Sequence, residues 1–183
     1  MLEFKSSILG NQEAKAVATQ RSERSIDQIR RDVYDSHRHR VYALAYYMTG
    51  NELTAENILT RCFTQAFRSK VEPEASDVDQ SLLGLLREDG VLESMAVRGM
   101  PEAQPGTAAS GNILRTDMEE ALLELPAAER LIYLLSDVEG YSAAKIAELT
   151  GRPEREMTVA VMGVRLRLRE SIAAIRKKRE AAA

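Results

Sequence analysis

The sequence predicts an all-α fold made of two small helical domains joined by a flexible linker. Apolar residues recur every three or four positions through most of the 183-residue chain, as they do on the buried face of an amphipathic helix. No stretch of convincing length alternates apolar and polar residues, so we expect no β-sheet. Residues 99–111 interrupt the helical pattern and are rich in Pro, Gly, Ala and Ser, which is typical of a flexible linker.

Three helices are predicted before this linker. They lie near residues 25–48, 51–70 and 77–97, and their apolar stripes would pack together as a three-helix bundle. Residues 1–23 are polar and weakly periodic, so we interpret them as an N-terminal arm that is short or disordered. The boundaries we expect are 24–99 for the bundle, 100–115 for the linker and 116–183 for the C-terminal domain.

The C-terminal domain has a helix-turn-helix pattern. Its helices are predicted near residues 117–124, 127–139, 142–149 and 153–178. Ser142 stands at an N-cap position, Gly151 where a helix ends in a left-handed conformation, and Pro153 in the first turn of the next helix. In DNA-binding proteins the second helix of such a motif enters the major groove. A helical hairpin in a bundle that binds no DNA shows the same local pattern, so both interpretations stay open here.

Composition and motifs argue against several classes of protein. No apolar run approaches the roughly 20 residues of a membrane span, and the N-terminus lacks the shape of a signal peptide, so we expect a cytoplasmic protein without a membrane partner. The only cysteine, Cys62, cannot form an internal disulfide. His37 and His39 lie two positions apart on a helix and point to opposite sides, so they cannot share a metal ion. Without a phosphate-binding loop or a serine nucleophile motif, we expect no catalytic residue, no enzyme activity and no cofactor.

Residues 121–151, ALLELPAAERLIYLLSDVEGYSAAKIAELTG, resemble region 4 of the extracytoplasmic-function sigma factors, members of the sigma-70 superfamily of bacterial RNA polymerase subunits. The shared positions are a basic residue in an apolar helix (Arg130), a Gly-Tyr-Ser turn (Gly140, Tyr141, Ser142) and an Ile-Ala-Glu core (Ile146, Ala147, Glu148). The resemblance implies a helix-turn-helix that reads promoter DNA.

A second block, residues 33–69, is similar to region 2 of the same family. Its sequence is VYDSHRHRVYALAYYMTGNELTAENILTRCFTQAFRS, in which one helix ends at a Thr-Gly step and the next opens with Ala-Glu. In the family this next helix docks on the largest catalytic subunit of the polymerase. The positions that the resemblance assigns to this contact are Ala55, Glu56, Asn57, Ile58, Thr60 and Phe63.

The resemblance therefore implies a protein of transcription initiation that binds core RNA polymerase and promoter DNA, with an anti-sigma factor as a further partner. On the helix-turn-helix it assigns the DNA contacts to Arg152, Arg155, Glu156, Thr158 and Arg165.

Departures from the family pattern support an alternative function. Asn57 and Thr60 stand where the family has an acidic residue and a glutamine, which predicts weaker polymerase binding. No aromatic residue occurs between Phe67 and Tyr133, so the region that holds unpaired promoter bases in the family lacks a stacking platform here.

The recognition helix departs from the pattern as well. Glu156 and Met157 replace a Thr-Val pair, and Ala160 and Gly163 replace arginines. The run VAVMGV at residues 159–164 is unusually apolar for an exposed helix and predicts a surface covered by protein. The net charge of −3 also argues against a strongly basic face. The alternative is thus a diverged, sigma-like protein-interaction module that no longer melts or reads promoters.

Overall fold

The computed structural model describes residues 25–101 and 113–182, and every regular element in these ranges is a helix. The predicted all-α fold is confirmed. The N-terminal arm predicted for residues 1–23 and most of the predicted linker, residues 102–112, lie outside the described residues.

The N-terminal bundle consists of α1 (Ile26–Thr49), α2 (Glu52–Ser69) and α3 (Ala75–Glu88). Ser25 and Asn51 cap the first two helices, because each side-chain oxygen accepts a hydrogen bond from a backbone N–H of the first turn. Gly50, at φ 67°, ends α1 in the left-handed conformation and lets the chain turn back into α2. The three apolar faces meet in a core that includes Val41, Leu44, Ile58, Cys62, Phe63, Val78, Leu82 and Leu86.

The third helix is shorter than predicted. The apolar pattern predicts a helix over residues 77–97, but α3 ends at Glu88 and the chain turns at Gly90, where φ is 69°. The backbone N–H of Leu92 donates to the carbonyl oxygen of Leu86 at 2.8 Å and closes this turn. Residues 92–101 have no regular secondary structure. Leu92 is still buried, which explains why the apolar pattern continues beyond the end of the helix.

The C-terminal helices are α4 (Arg115–Glu124), α5 (Ala127–Tyr133), α6 (Ala143–Thr150) and α7 (Glu154–Ala182). A π-helical turn over Leu134–Val138 continues α5, so the helix predicted for residues 127–139 is present with a wider last turn. The long helix α7 packs against α4, α5 and α6. Its buried face includes Met157, Ala160, Val164, Leu168, Ile172 and Ile175.

The two predicted domains pack against each other. Helix α1 contacts both α4 and α5, and buried residues from the two halves form one apolar core. Arg130 of α5 reinforces this contact, because its guanidinium donates to the carbonyl oxygen of Met48 at the end of α1, at 2.9 Å. The same guanidinium donates to the carbonyl oxygens of Leu122, Leu123 and Leu125 at the end of α4. Arg130 thus satisfies carbonyl groups at two helix ends, while the domain boundaries stay a prediction.

Candidate nucleic-acid and protein interfaces

The helix-turn-helix is formed by α6, the turn at Gly151 and the first half of α7. Ser142 caps α6, since its hydroxyl oxygen accepts a hydrogen bond from the backbone N–H of Lys145 at 3.2 Å. Gly151 ends α6 at φ 68°, as the sequence predicts. Ile146 of α6 and Met157 of α7 are fully buried between the helices. This packing fixes the direction in which α7 leaves the turn.

The first half of α7 presents one face to solvent. Residues spaced three or four apart share a face of a helix. The exposed residues of this face are Arg155, Thr158, Val159, Met162, Arg165 and Arg169. Its centre is apolar, and its ends carry guanidinium groups.

Two of the arginines predicted to bind DNA form ion pairs in this structure. Arg152 pairs with Glu156 one turn further along, and Arg165 Nε lies 2.9 Å from Asp137 Oδ1. Surface ion pairs of this kind contribute about 0–1 kcal/mol. A DNA phosphate can therefore replace either carboxylate at little cost, and the assignment of these residues to DNA contact stays a prediction.

The other predicted contacts differ in their surroundings. Within the described parts of the chain, Arg155 has no ion-pair partner, and Glu156 is the partner of Arg152. The hydroxyl of Thr158 donates to the carbonyl oxygen of Glu154 at 3.0 Å, and its side chain remains exposed. Arg155 is thus the predicted DNA contact that is most readily available to a phosphate or a base edge.

The apolar run at residues 159–164 is not the continuous exposed surface that the sequence suggests. Ala160, Gly163 and Val164 are buried against the protein's own core. Only Val159 and Met162 are exposed, at 42% and 54%. The prediction of a surface covered by protein is thus met in part by the fold itself, which buries three of the six residues.

Behind the helix-turn-helix lies a buried ionic network that the sequence analysis did not identify. Glu129 of α5, which is 1% exposed, binds Arg167 of α7 at 3.0 Å and Arg98 of the segment after α3 at 2.6 Å. Arg167 also donates to the carbonyl oxygen of Gly99 at 2.7 Å. Burial opposes ionisation of Glu129, but the hydrogen bonds from the two arginines outweigh it and lower the pKa of Glu129 to about 2. The carboxylate therefore stays charged and ties α7 to the segment that follows the bundle.

A second polar network joins the bundle to the helix-turn-helix. Arg40 of α1 donates to Asp79 of α3 at 2.5 Å and to the hydroxyl oxygen of Tyr141 at 2.7 Å. The Tyr141 hydroxyl in turn donates to Asp79 at 2.8 Å. Burial and this hydrogen bond to Asp79 raise the pKa of Tyr141 to about 12, so the phenol remains protonated. The tyrosine of the Gly-Tyr-Ser turn therefore holds the two halves together in this structure.

The residues that the sequence assigns to polymerase binding divide into two groups on α2. Glu56, Asn57 and Thr60 are exposed on one side of the helix. Ala55, Ile58 and Phe63 are buried in the bundle, at 0%, 0% and 4% exposure. Those three side chains cannot contact a partner in this conformation. The prediction of a polymerase interface therefore depends on the exposed group.

Within the described residues, α3 carries no aromatic side chain that could act as a platform for unpaired bases. On α3, Leu82 and Leu86 point into the core. The exposed end of the helix carries Glu88, followed by Asp89, and both pair with Arg61 of α2. Within the described bundle this surface is acidic and has no ring on which a base could stack.

Comparison with known proteins shows a similarity in the C-terminal part of the chain. The fold and the exposed face of α7 define a helix-turn-helix domain of the kind that binds duplex DNA. Residues 115–168 match the family described as Sigma-70, region 4. This similarity indicates a sigma factor-like, DNA-binding role in transcription for this part of the chain. No curated protein matches the chain.

The helices of this structure bear on the expected absence of a membrane span. Across residues 25–101 and 113–182, none of them has the length and apolar character that crossing a bilayer requires.

Proposed function

We propose that the chain is a sigma factor of the extracytoplasmic-function type, which binds core RNA polymerase and directs it to promoter DNA. The observation that carries this proposal is the region 4 match over residues 115–168, together with the exposed arginines of α7 within the matched motif. A helix-turn-helix with a buried, rigid packing face and an outer face that carries arginines at its ends suits insertion into the major groove.

The N-terminal bundle supports the polymerase-binding half of the proposal. Glu56, Asn57 and Thr60 lie on successive turns of α2 and form an exposed polar surface on a helix that the core holds rigidly. A rigid helix loses little conformational freedom on binding, which favours its use as a docking element. An anti-sigma factor would be a further partner of the same protein.

One observation favours the alternative of a diverged interaction protein. Stacking on an aromatic face contributes about 1–3 kcal/mol per unpaired base, and no aromatic residue is available between Phe67 and Tyr133. A sigma factor with this gap would open duplex promoters poorly. The aromatic gap itself would not affect binding to polymerase or to duplex DNA. A sigma factor would therefore retain both activities, whereas the alternative module would not read promoter DNA.

The DNA-binding half can be tested with purified chain and duplex DNA. We expect weak binding that declines steeply with salt, because phosphate contacts release counterions. Arg155→Ala should weaken binding and lower the slope of log affinity against log salt by about 1. Arg165→Ala should have a smaller effect, since Asp137 competes with the phosphate for this guanidinium. Fluorescence anisotropy over a salt series measures both quantities.

The control for this experiment is Arg31→Ala, which removes an exposed arginine of α1 outside the helix-turn-helix. It should leave affinity and salt slope unchanged. Tight binding at physiological salt that neither Arg155→Ala nor Arg165→Ala alters would show that DNA binds elsewhere.

A further inference from the structure

The exposed face of α7 carries two apolar side chains where a basic or polar surface is expected. Val159 and Met162 are 42% and 54% exposed, although buried positions lie between and beside them on the same helix. They lie three positions apart, so they are neighbours on one face. Arg155 precedes them by one turn, and Arg165 follows by nearly one turn.

The dimensions of this face match a short stretch of duplex. With a rise of 1.5 Å per residue, Val159 and Met162 are displaced by about 4.5 Å along the helix axis, close to the 3.4 Å spacing of successive bases. The ten residue steps from Arg155 to Arg165 extend about 15 Å, which corresponds to about four base pairs for a helix lying along the groove.

The orientation of the two side chains is fixed by the core. Met157, Ala160 and Val164 are buried at 0%, 2% and 0% exposure, so α7 cannot rotate without breaking its packing. Val159 and Met162 therefore enter the major groove whenever the outer face of α7 does.

We infer that Val159 and Met162 are specificity-determining residues that contact the 5-methyl groups of thymines at adjacent base pairs. This inference rests on the proposed function of DNA binding. The thymine methyl is the apolar group that base edges present in the major groove, and apolar side chains are its usual partners. The arginines on either side, Arg155 and Arg165, provide the positive charge that complements the phosphates.

The size of the patch argues for methyl groups over a protein partner. A stable protein interface buries at least about 1,000 Å² in total. The exposed apolar side chains of this face are Val159 and Met162, with Val97 and Pro153 beside Val159, and this patch is too small for such an interface. The polar and charged residues around them, Thr158, Arg155 and Arg165, are typical of a groove-reading face.

The experiment replaces thymine by deoxyuridine, which removes only the 5-methyl group. Duplexes that the full-length chain prefers are first selected from a random pool at low salt, and each thymine of the preferred site is then replaced in turn. Loss of a contacted methyl should weaken binding about fourfold, the effect of one buried CH₂ group. Replacements at one or two adjacent positions should show this loss, and the others should not.

Variants of the chain identify the side chains responsible. Each of the variants Val159→Ala and Met162→Ala should lose the discrimination at one of those positions. There it should bind the thymine duplex and the deoxyuridine duplex with equal affinity. Val71→Ala is the matched control, because Val71 is 64% exposed but lies outside the helix-turn-helix. It should keep the full discrimination. Both test residues are exposed, so neither substitution disturbs the fold.

The outcomes separate this inference from the proposed function. If the wild-type chain selects a site but binds deoxyuridine and thymine duplexes equally at every position, the inference is overturned and DNA binding stands. If discrimination persists in both alanine variants, other residues read the methyl groups and the inference is again overturned. If no duplex is enriched, the proposed DNA binding and the inference fail together.

Discussion

Glu129→Ala is expected to lower the free energy of unfolding by about 3–5 kcal/mol, the cost of leaving a buried charge without its partner. Arg167 is 9% exposed and would lose the carboxylate that it now binds through two nitrogens. A domain of this size is stable by only about 5–15 kcal/mol, so the loss would be a large fraction of the total. Urea denaturation at neutral pH, followed by circular dichroism, measures it.

The matched control is Glu148→Ala. Glu148 also forms an ion pair, with Lys145, but its side chain is 71% exposed. Its removal should change the free energy of unfolding by no more than about 0.5 kcal/mol. Equal effects of the two substitutions would show that the Glu129 network does not stabilise the fold.

The same carboxylate predicts a dependence of stability on pH. Because folding lowers the pKa of Glu129 from 4.5 to about 2, its contribution is fully present above pH 4.5 and is lost as the pH falls toward 2. In Glu129→Gln this part of the acid sensitivity should be absent, since the amide does not titrate. Unfolding curves of both proteins between pH 7 and about 2.5 would show the difference. An identical acid dependence would mean that another group causes it.

Glu56→Arg is expected to remove co-purification with core RNA polymerase, with a loss of affinity of at least about thirtyfold. A central interface residue contributes about 2 kcal/mol or more, which corresponds to this factor. Glu56 is exposed on α2, so the substitution should leave the helical content and the unfolding transition unchanged. Pull-down with tagged core polymerase at low and physiological salt gives the result.

The control for this variant is Glu180→Arg, an equal charge reversal at an exposed position near the end of α7. It should bind polymerase as the wild type does. Ile58→Asp would be uninformative, because Ile58 is fully buried and a carboxylate there would unfold the bundle. Unchanged retention of Glu56→Arg would place the polymerase contact elsewhere.

Local signals explain which elements the sequence could predict. Ser142 and Gly151 act through hydrogen bonds and backbone angles of their own segment, so the ends of α6 were predictable. The end of α3 was not, because the buried Leu92 continues the apolar pattern beyond the turn at Gly90. A pattern of apolar residues indicates which residues are buried, and residues beyond the end of a helix can be buried as well.

The candidate interfaces were predictable only in part, for a related reason. A family motif includes residues that contact a partner and residues that hold the helix in place, and the sequence does not separate Glu56 from the buried Ile58. The network of Glu129 was not predictable at all. Its partners Arg98 and Arg167 are 31 and 38 residues away, and only the packing of three separate segments brings them together.

The most direct test of the proposed function is chain-dependent transcription by core RNA polymerase. Run-off transcription is measured with and without the chain, on a promoter selected from genomic DNA and on the same promoter with an unpaired segment. We expect transcripts that require the chain on the pre-melted template and weaker initiation on the fully paired duplex, because no aromatic residue between Phe67 and Tyr133 can hold unpaired bases. Core polymerase that neither binds the chain nor initiates in response to it on either template would contradict the assignment as a sigma factor.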